Sequence, residues 1–207
     1  MKKFLLIDDH SVVRSGLKNL LLEIYTSCEV DEADSDAMAI KLLKLKTYDM
    51  LLMDVQIPKA DMIGLMEFIH SKYPGTKVLI FSMSPEKIYA KRFLSIGAKG
   101  FLSKEASLDE IIKAIDMVLS DRKYISESLA DMLAGYPGRT PNIFDTLSIR
   151  EFEIISLLLS GQTLTEICTT LSLQASTVGT HKARAFEKLN VKGLLELKDL
   201  AQSYELR

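Results

Sequence analysis

The chain has 207 residues, 47% of them hydrophobic and 26% charged, with a net charge of −2 at pH 7. That length suits one large domain or two modest ones, and the balance is that of a soluble globular protein. The near-neutral charge provides no overall positive field to draw nucleic acid, and no stretch approaches the ~18 apolar residues of a membrane helix.

Residues 1–7 begin like a signal peptide, but Asp8-Asp9 ends the apolar run too early for one. Cys28 and Cys168 lie far apart without metal-ligand spacing and read as reduced thiols of a cytoplasmic protein. Residues 4–7 form a first strand that stops on acid. Val12, Val13, Leu17, Leu20, Leu21 and Ile24 then make a helical apolar stripe. Residues 28–33 predict a short polar strand at a sheet edge, and Ala37, Ile40, Leu42 and Leu43 a second helix. From Tyr48 the chain enters an unbroken apolar run, Met50 to Met53, which suits a strand buried on both faces of a parallel sheet. The run ends on Asp54, and Pro58 blocks its continuation.

A helix over 63–71 follows, Pro74-Gly75 turns the chain, and 77–82 predicts a fourth strand. Pro85 opens a helix that Gly97 ends, 98–102 is a fifth strand, and 108–119 is a last helix. Five repeats of strand then helix imply right-handed crossovers and a doubly wound α/β sheet of five parallel strands. In such sheets ligands bind beyond the carboxyl ends of the strands. Four of these ends carry polar groups: Asp8-Asp9, Asp54, Ser82 and Lys104.

Taken singly, each has an ordinary explanation as a helix cap, a loop hydroxyl or a solvated charge. Together they describe chemistry. Three carboxylates repel unless a cation intervenes, and an all-oxygen set with room for water and phosphate favours Mg2+. Asp54 is then a candidate nucleophile toward phosphorus, with Lys104 and Ser82 stabilising the charge spread over the phosphoryl oxygens.

These residues carry a resemblance. The acid pair Asp8-Asp9, the run 54–58, Ser82 and the run 99–104 ending in Lys104 resemble the receiver domain of two-component response regulators over residues 1–121. The resemblance implies a flavodoxin-like sheet in the order 2-1-3-4-5 and Asp54 as acceptor of a phosphoryl group from a histidine kinase. It further implies Asp9 as direct metal ligand, Asp8 acting partly through water, and the backbone carbonyl of Gln56 completing the site. Ser82 and Phe101 would be a switch pair, the hydroxyl moving onto the phosphate as the ring turns inward. Two positions depart from the family pattern. Met62 stands where a glycine is usual, which strains the backbone if φ there is positive, and Met83 stands where a small residue is common.

Residues 126–133 have helix-like spacing, and 134–146 carry the breakers Gly135, Pro137, Gly138, Pro141 and Asn142. The expected linker is 122–145. From Leu147 the pattern changes to short helices: Ser148 and Glu151 at capping-box spacing, then an apolar face of Phe152, Ile155, Leu158 and Leu159 that Gly161 stops. Further helices are predicted over 165–171, 175–189 and 194–204, a helix-turn-helix outline within four helices. The runs 147–151, 160–168, 176–182 and 189–191 resemble the LuxR-type DNA-binding domain over residues 146–207, and its pairing with a receiver resembles the NarL/FixJ subgroup.

That resemblance makes 175–189 the recognition helix, with Thr177, Thr180, His181, Lys182, Arg184 and Lys188 toward double-stranded DNA. Gly179, Ala183 and Glu187 replace residues that are more often polar or basic, and the seven basic and seven acidic side chains of 146–207 cancel. Phosphate contacts dominate affinity, so one such domain should bind weakly and gain from homodimerisation upon phosphorylation. Residues 194–200 are a candidate dimer surface by the same resemblance.

Two other readings separate from this one. A haloacid-dehalogenase-like phosphatase also uses a strand-end aspartate, but on its first strand and with a general acid two residues on, where this chain has Gln56. An interaction module whose helix-turn-helix has lost DNA readout would show no salt-dependent DNA binding. The expected protein is a phosphoacceptor regulator rather than an enzyme, with hydrolysis of its own phosphoryl group at most.

Overall fold

The structure is a computed structural model, and residues 1–133, 142–204 and 206 are described. The chain divides into two compact units, Met1–Leu133 and Ala134–Arg207. The breaker cluster at Gly135, Pro137, Gly138 and Pro141 lies outside the described residues.

In the first unit, strands β1 (Lys2–Ile7), β2 (Cys28–Ala33), β3 (Met50–Met53), β4 (Lys77–Ser82) and β5 (Gly100–Ser103) form one parallel sheet in the order β2-β1-β3-β4-β5. Helices α1 (Ser11–Ile24), α2 (Asp36–Leu45), α3 (Met62–Lys72), α4 (Glu86–Ser95) and α5 (Leu108–Leu119) alternate with the strands. This is the order the resemblance implied, and the polar 28–33 strand takes the edge. Every residue of β3 is buried, which is why its sequence reads as an apolar run rather than an alternation. Phe4, Leu6, Leu21, Met50, Leu52, Leu79, Ala114, Ile115 and Val118 share one core.

Register places the candidate site residues. Ile7 pairs with Met53 across β1 and β3, so Asp8 and Asp54, one residue on, emerge side by side. The ladder continues past the strand ends: the Asp54 amide donates to the Ile7 carbonyl at 2.8 Å and the Lys104 amide to the Ser82 carbonyl at 3.1 Å. The loops that follow therefore leave the sheet from fixed starting points.

Met62 does not carry the strain that a positive φ would bring. It is the first residue of α3, 4% exposed, and Asp61 before it (φ −91°) is the N-cap. The left-handed residue of this loop is Lys59, at φ 60°. Gly64 matters instead: a Cβ there would fall 2.3 Å from Oδ2 of the Asp61 carboxylate, whose Oδ1 accepts the Gly64 amide at 2.5 Å. Met83 is 57% exposed.

Helix α6 (Glu127–Leu133), within the stretch expected to be linker, belongs to the first unit. Tyr124 enters it as a one-residue parallel bridge to Gly100, its amide donating to the Lys99 carbonyl at 2.9 Å. Ser126 donates to Glu86 Oε2 at 2.7 Å and Tyr124 to Glu110 Oε1 at 2.5 Å, fixing the segment to α4 and α5.

The second unit holds a short 3-10 turn (Ile143–Thr146) and helices α7 (Ile149–Leu159), α8 (Leu164–Leu171), α9 (Ala175–Leu189) and α10 (Leu194–Ser203). Ser148 and Glu151 close the expected capping box. A second box, Thr163 with Glu166, starts α8 one residue earlier than the apolar pattern suggested. Ser172 (φ 52°) and Asn190 (φ 54°) end α8 and α9 in the left-handed region, a helix-stop conformation that asparagine tolerates well. Phe144, Phe152, Ile154, Ile155, Ile167, Val178, Ala185 and Leu197 fill the core at 0–1% exposure.

Candidate functional site

Asp54 is 4% exposed at the carboxyl end of β3. Its Oδ1 accepts the amides of Val55 (2.6 Å) and Gln56 (3.1 Å) and the Ser82 hydroxyl (2.6 Å). Its Oδ2 accepts the Lys104 ammonium at 2.7 Å, and the same ammonium reaches Asp8 Oδ2 at 2.6 Å. Lys104 thus occupies the middle of the acid cluster, with its side chain 8% exposed. Burial opposes its charge, yet the hydrogen bonds and charges of Asp54 and Asp8 outweigh that and hold its pKa above the usual lysine value. Ser84, 4% exposed, lies 3.1 Å from the Ser82 hydroxyl.

Asp8, Asp9, His10 and Asp54 offer ligand atoms that all lie within 4.8 Å of one another. Asp8 Oδ1 accepts the His10 amide at 2.9 Å. Asp9 differs: its Oδ1 atom is buried and accepts no hydrogen bond, although the His10 Nδ1 lies 2.9 Å away. A buried carboxylate oxygen without a hydrogen bond calls for an explanation such as an ion. The donor set, all carboxylate oxygen apart from one exposed imidazole, fits a hard divalent cation. Gln56 meets the cluster through its amide.

Phe101 is 1% exposed and lines a cavity of about 290 Å³ together with Glu86, Leu102, Glu110, Tyr124 and Ser126. With the Ser82 hydroxyl on Asp54, both members of the expected switch pair occupy inward positions.

Two family models match, the response regulator receiver domain over residues 4–116 and the LuxR family of bacterial regulatory proteins over 145–201. The response regulator UvrY of Escherichia coli (strain K12) is 32% identical over 204 residues, covering 97% of this chain and 94% of its own. The chain belongs to the response-regulator family. Another relative, the response regulator GacA of Pseudomonas aeruginosa, is 32% identical over 97% of this regulator and 95% of its own length. Salmonella enterica RcsB, solved bound to promoter rprA with a BeF3− phosphomimetic, shares the fold at a TM-score of 0.78. Its identity is 23%, over 98% of this chain and all of that one.

On the regulator's second unit the expected DNA residues do not share one environment. Thr177, Thr180, His181, Arg184 and Lys188 fall on one helical face, while Val178, Ala185 and Leu189 are buried on another. Thr180 spends its hydroxyl on the Ser176 carbonyl (2.8 Å), and Lys182 lies over the Phe186 ring at 5.2 Å. Lys188 donates to Glu151 Oε2 at 2.6 Å, across to α7. His181 Nδ1 is buried without a hydrogen-bond partner. Arg184 and Lys188 are the exposed cations of the set, Lys188 in spite of its ion pair. Lys188 as a strut is not visible in the sequence, since nothing local links it to Glu151, 37 residues away. No helix among the described residues is long and apolar enough to cross a membrane.

Proposed function

We propose that this response regulator is switched by transfer of a phosphoryl group from a partner histidine kinase to the Asp54 carboxylate, with Mg2+ bound by Asp8, Asp9 and Asp54. The observation that carries the reading is one ammonium, Lys104, shared by Asp8 at 2.6 Å and Asp54 at 2.7 Å, with Ser82 on the same carboxylate at 2.6 Å. Asp9 supports the metal assignment, since its Oδ1 is a buried carboxylate oxygen without a hydrogen bond; the Gln56 carbonyl is the remaining protein ligand proposed.

A carboxylate oxygen of Asp54 attacks phosphorus, and the bond from phosphorus to the donor imidazole breaks, its electron pair leaving with the donor. Bound Mg2+ would neutralise the acid cluster and the phosphoryl oxygens. Lys104 and Ser82, now held on the carboxylate, turn their donors to the phosphoryl oxygens where charge accumulates. Phe101 and the β4–α4 region respond, and the change is read out as altered dimerisation and DNA binding. Hydrolysis of its own acyl phosphate is the turnover expected of such a site.

The readout proposed is double-stranded DNA at the Thr177, Thr180, His181 and Arg184 face of α9, with Lys182 reaching the duplex from beside that face. Gln174 at the start of α9 makes no side-chain cap bond, and the first turn carries no acid, which suits phosphate. One observation favours the interaction-module reading: the ion pair of Lys188 with Glu151 removes a cation from an already neutral domain.

The test treats the full chain with a small acyl-phosphate donor and Mg2+, then titrates DNA binding with salt. Wild type gains one phosphoryl mass and binds DNA more tightly; Asp54→Asn gains none. Phosphorylation of Asp54→Asn at the wild-type rate refutes the phosphoacceptor. Binding that ignores both salt and phosphorylation selects the interaction module.

A further inference from the structure

Helix α1 begins without the usual side-chain cap. Its N-cap is His10, which makes no side-chain cap bond, and its first turn contains no acid. The β1–α1 loop, which carries Asp8 and Asp9, is held locally by the His10 amide on Asp8 Oδ1 at 2.9 Å, and a second grip comes from outside it, from β2. The Asp8 amide donates to the Ala33 carbonyl at 3.1 Å. At the other end of the same residue, the Asp8 carbonyl accepts Arg14 Nη1 at 2.6 Å. Arg14 Nε is in turn held by Glu32 Oε2 at 3.3 Å, and Lys18 holds Glu32 Oε1 at 2.8 Å. Arg14 is only 15% exposed. Asp8 is therefore clasped between Ala33 and Glu32, neighbours on one strand, with the guanidinium as one arm.

The Asp8 carbonyl lies in the same rigid plane as the Asp9 nitrogen. Pinning that oxygen sets the peptide from which Asp9 projects, and Asp9 holds the buried oxygen that no hydrogen bond satisfies. We propose that Arg14 is a positioning residue for the metal site, fixing the peptide between Asp8 and Asp9 through the Asp8 carbonyl so that the Asp9 carboxylate is set for a divalent cation. Partners of this kind, one bond removed from a ligand, are worth roughly 10–100-fold in metal affinity when removed.

The sign of the effect isolates the role. Through charge alone, a cation beside a metal site repels the metal, so removing Arg14 would tighten binding. Acting through position, its removal weakens binding. The proposal rests on the metal assignment above, and Mg2+ titration by calorimetry on the full chain separates the two, with Mn2+ as a second probe. Wild type binds Mg2+. Arg14→Met binds about 10-fold more weakly. Arg14→Lys, which keeps one donor for the Asp8 carbonyl, recovers part of the loss. Glu32→Gln, which loosens the far side of the fork, moves in the same direction by less. If Arg14→Met fails to fold, the Lys and Glu32 variants decide by the same direction of change.

Equal or tighter Mg2+ binding in the Arg14 variants overturns the inference while leaving the proposed function standing. Absence of Mg2+ binding in wild type overturns the metal assignment, and the inference falls with it. A lower melting temperature with unchanged Mg2+ affinity assigns Arg14 to stability alone and also overturns it.

Discussion

Replacing Lys188 with Met tests whether this lysine belongs to the DNA face of α9 or braces α9 against α7. Glu151 is 3% exposed; its Oε2 accepts the Ser148 amide at 2.8 Å and the Lys188 ammonium at 2.6 Å. Breaking a fully buried pair on one side costs roughly 3–5 kcal/mol, whereas an exposed pair contributes under about 1. The Lys188 side chain is 40% exposed, so water takes over part of the lost contact. The expected loss is about 1–2 kcal/mol, a fall of roughly 5–15 °C for a helical unit of this size. Burial pushes the Glu151 carboxyl up, but the Lys188 and Ser148 hydrogen bonds and the Lys188 charge outweigh it and hold its pKa below the usual glutamate value. A depressed carboxyl contributes stability above its unfolded pKa and loses it as pH falls through the folded one. The gap between wild type and Lys188→Met should therefore be widest at neutral pH and close in acid. Calorimetry of the full chain across pH measures it, and a salt titration of DNA binding completes the assay. Each phosphate contact contributes ~0.9 to the slope of log affinity against log salt. A strut leaves that slope unchanged. A slope lower by about one, with stability intact, would make Lys188 a phosphate contact and refute the strut.

Gly100→Ala places a Cβ 2.8 Å from the Tyr124 carbonyl oxygen and 2.9 Å from Leu79 Cδ1; a loss of about 1–3 kcal/mol in urea unfolding is expected, with faster hydrogen exchange at the Tyr124 amide. Glu86 carries a carboxyl pushed above its usual pKa by burial and by Glu110, against the opposing Ser126 hydrogen bond. A raised acid destabilises the fold once ionised, and the penalty fades as pH falls through the folded pKa and is gone below the unfolded one. Glu86→Gln should therefore raise the melting temperature at pH about 8 and leave it unchanged at about 4; an equal gain at both would refute the assignment. A Cβ added at Gly179 on α9 would meet nothing within 4 Å, so Gly179→Ala should stabilise the helical unit by about 1 kcal/mol, read by thermal melting.

What could be read from the sequence follows the range of the interactions. The apolar run of Met50 to Met53 announces a strand buried on both faces because the parallel sheet leaves it no exposed side. Asp8-Asp9, Asp54, Ser82 and Lys104 are visible because alternation of strand and helix sends every strand end to one edge, whatever the details of packing. The Thr163 box escapes notice because Leu164 is 41% exposed and breaks the apolar periodicity that marks the helix start. The anchoring of Tyr124 and Ser126 is invisible for another reason. Ser126 meets Glu86 from 40 residues away and Tyr124 meets Glu110 from 14, and no spacing rule joins such pairs. Met62 shows a local compensation: Asp61 caps the helix and Gly64 supplies the room, so the departure from glycine needs no positive φ.

Burial and a lysine partner do not by themselves mark a reactive carboxylate. Asp54 at 4% exposure and Glu151 at 3% are equally hidden, and each accepts an ammonium at 2.6–2.7 Å from a distant element. Their surroundings separate them. Glu151 stands in a capping box, where its other task is to satisfy the Ser148 amide, and nothing would be gained by disturbing it. Asp54 stands beside Asp8 and near an Asp9 oxygen without a hydrogen bond, so Lys104 holds together an excess of negative charge. Such a cluster is improved by further positive charge, which a divalent ion brings, and that ion is also what a phosphoryl group requires. The same kind of ion pair that locks one unit stands, in the other, inside the acid cluster proposed to hold the divalent ion. That difference resides in the neighbouring carboxylates, and removing Asp9 rather than Lys104 is what would make Asp54 resemble Glu151.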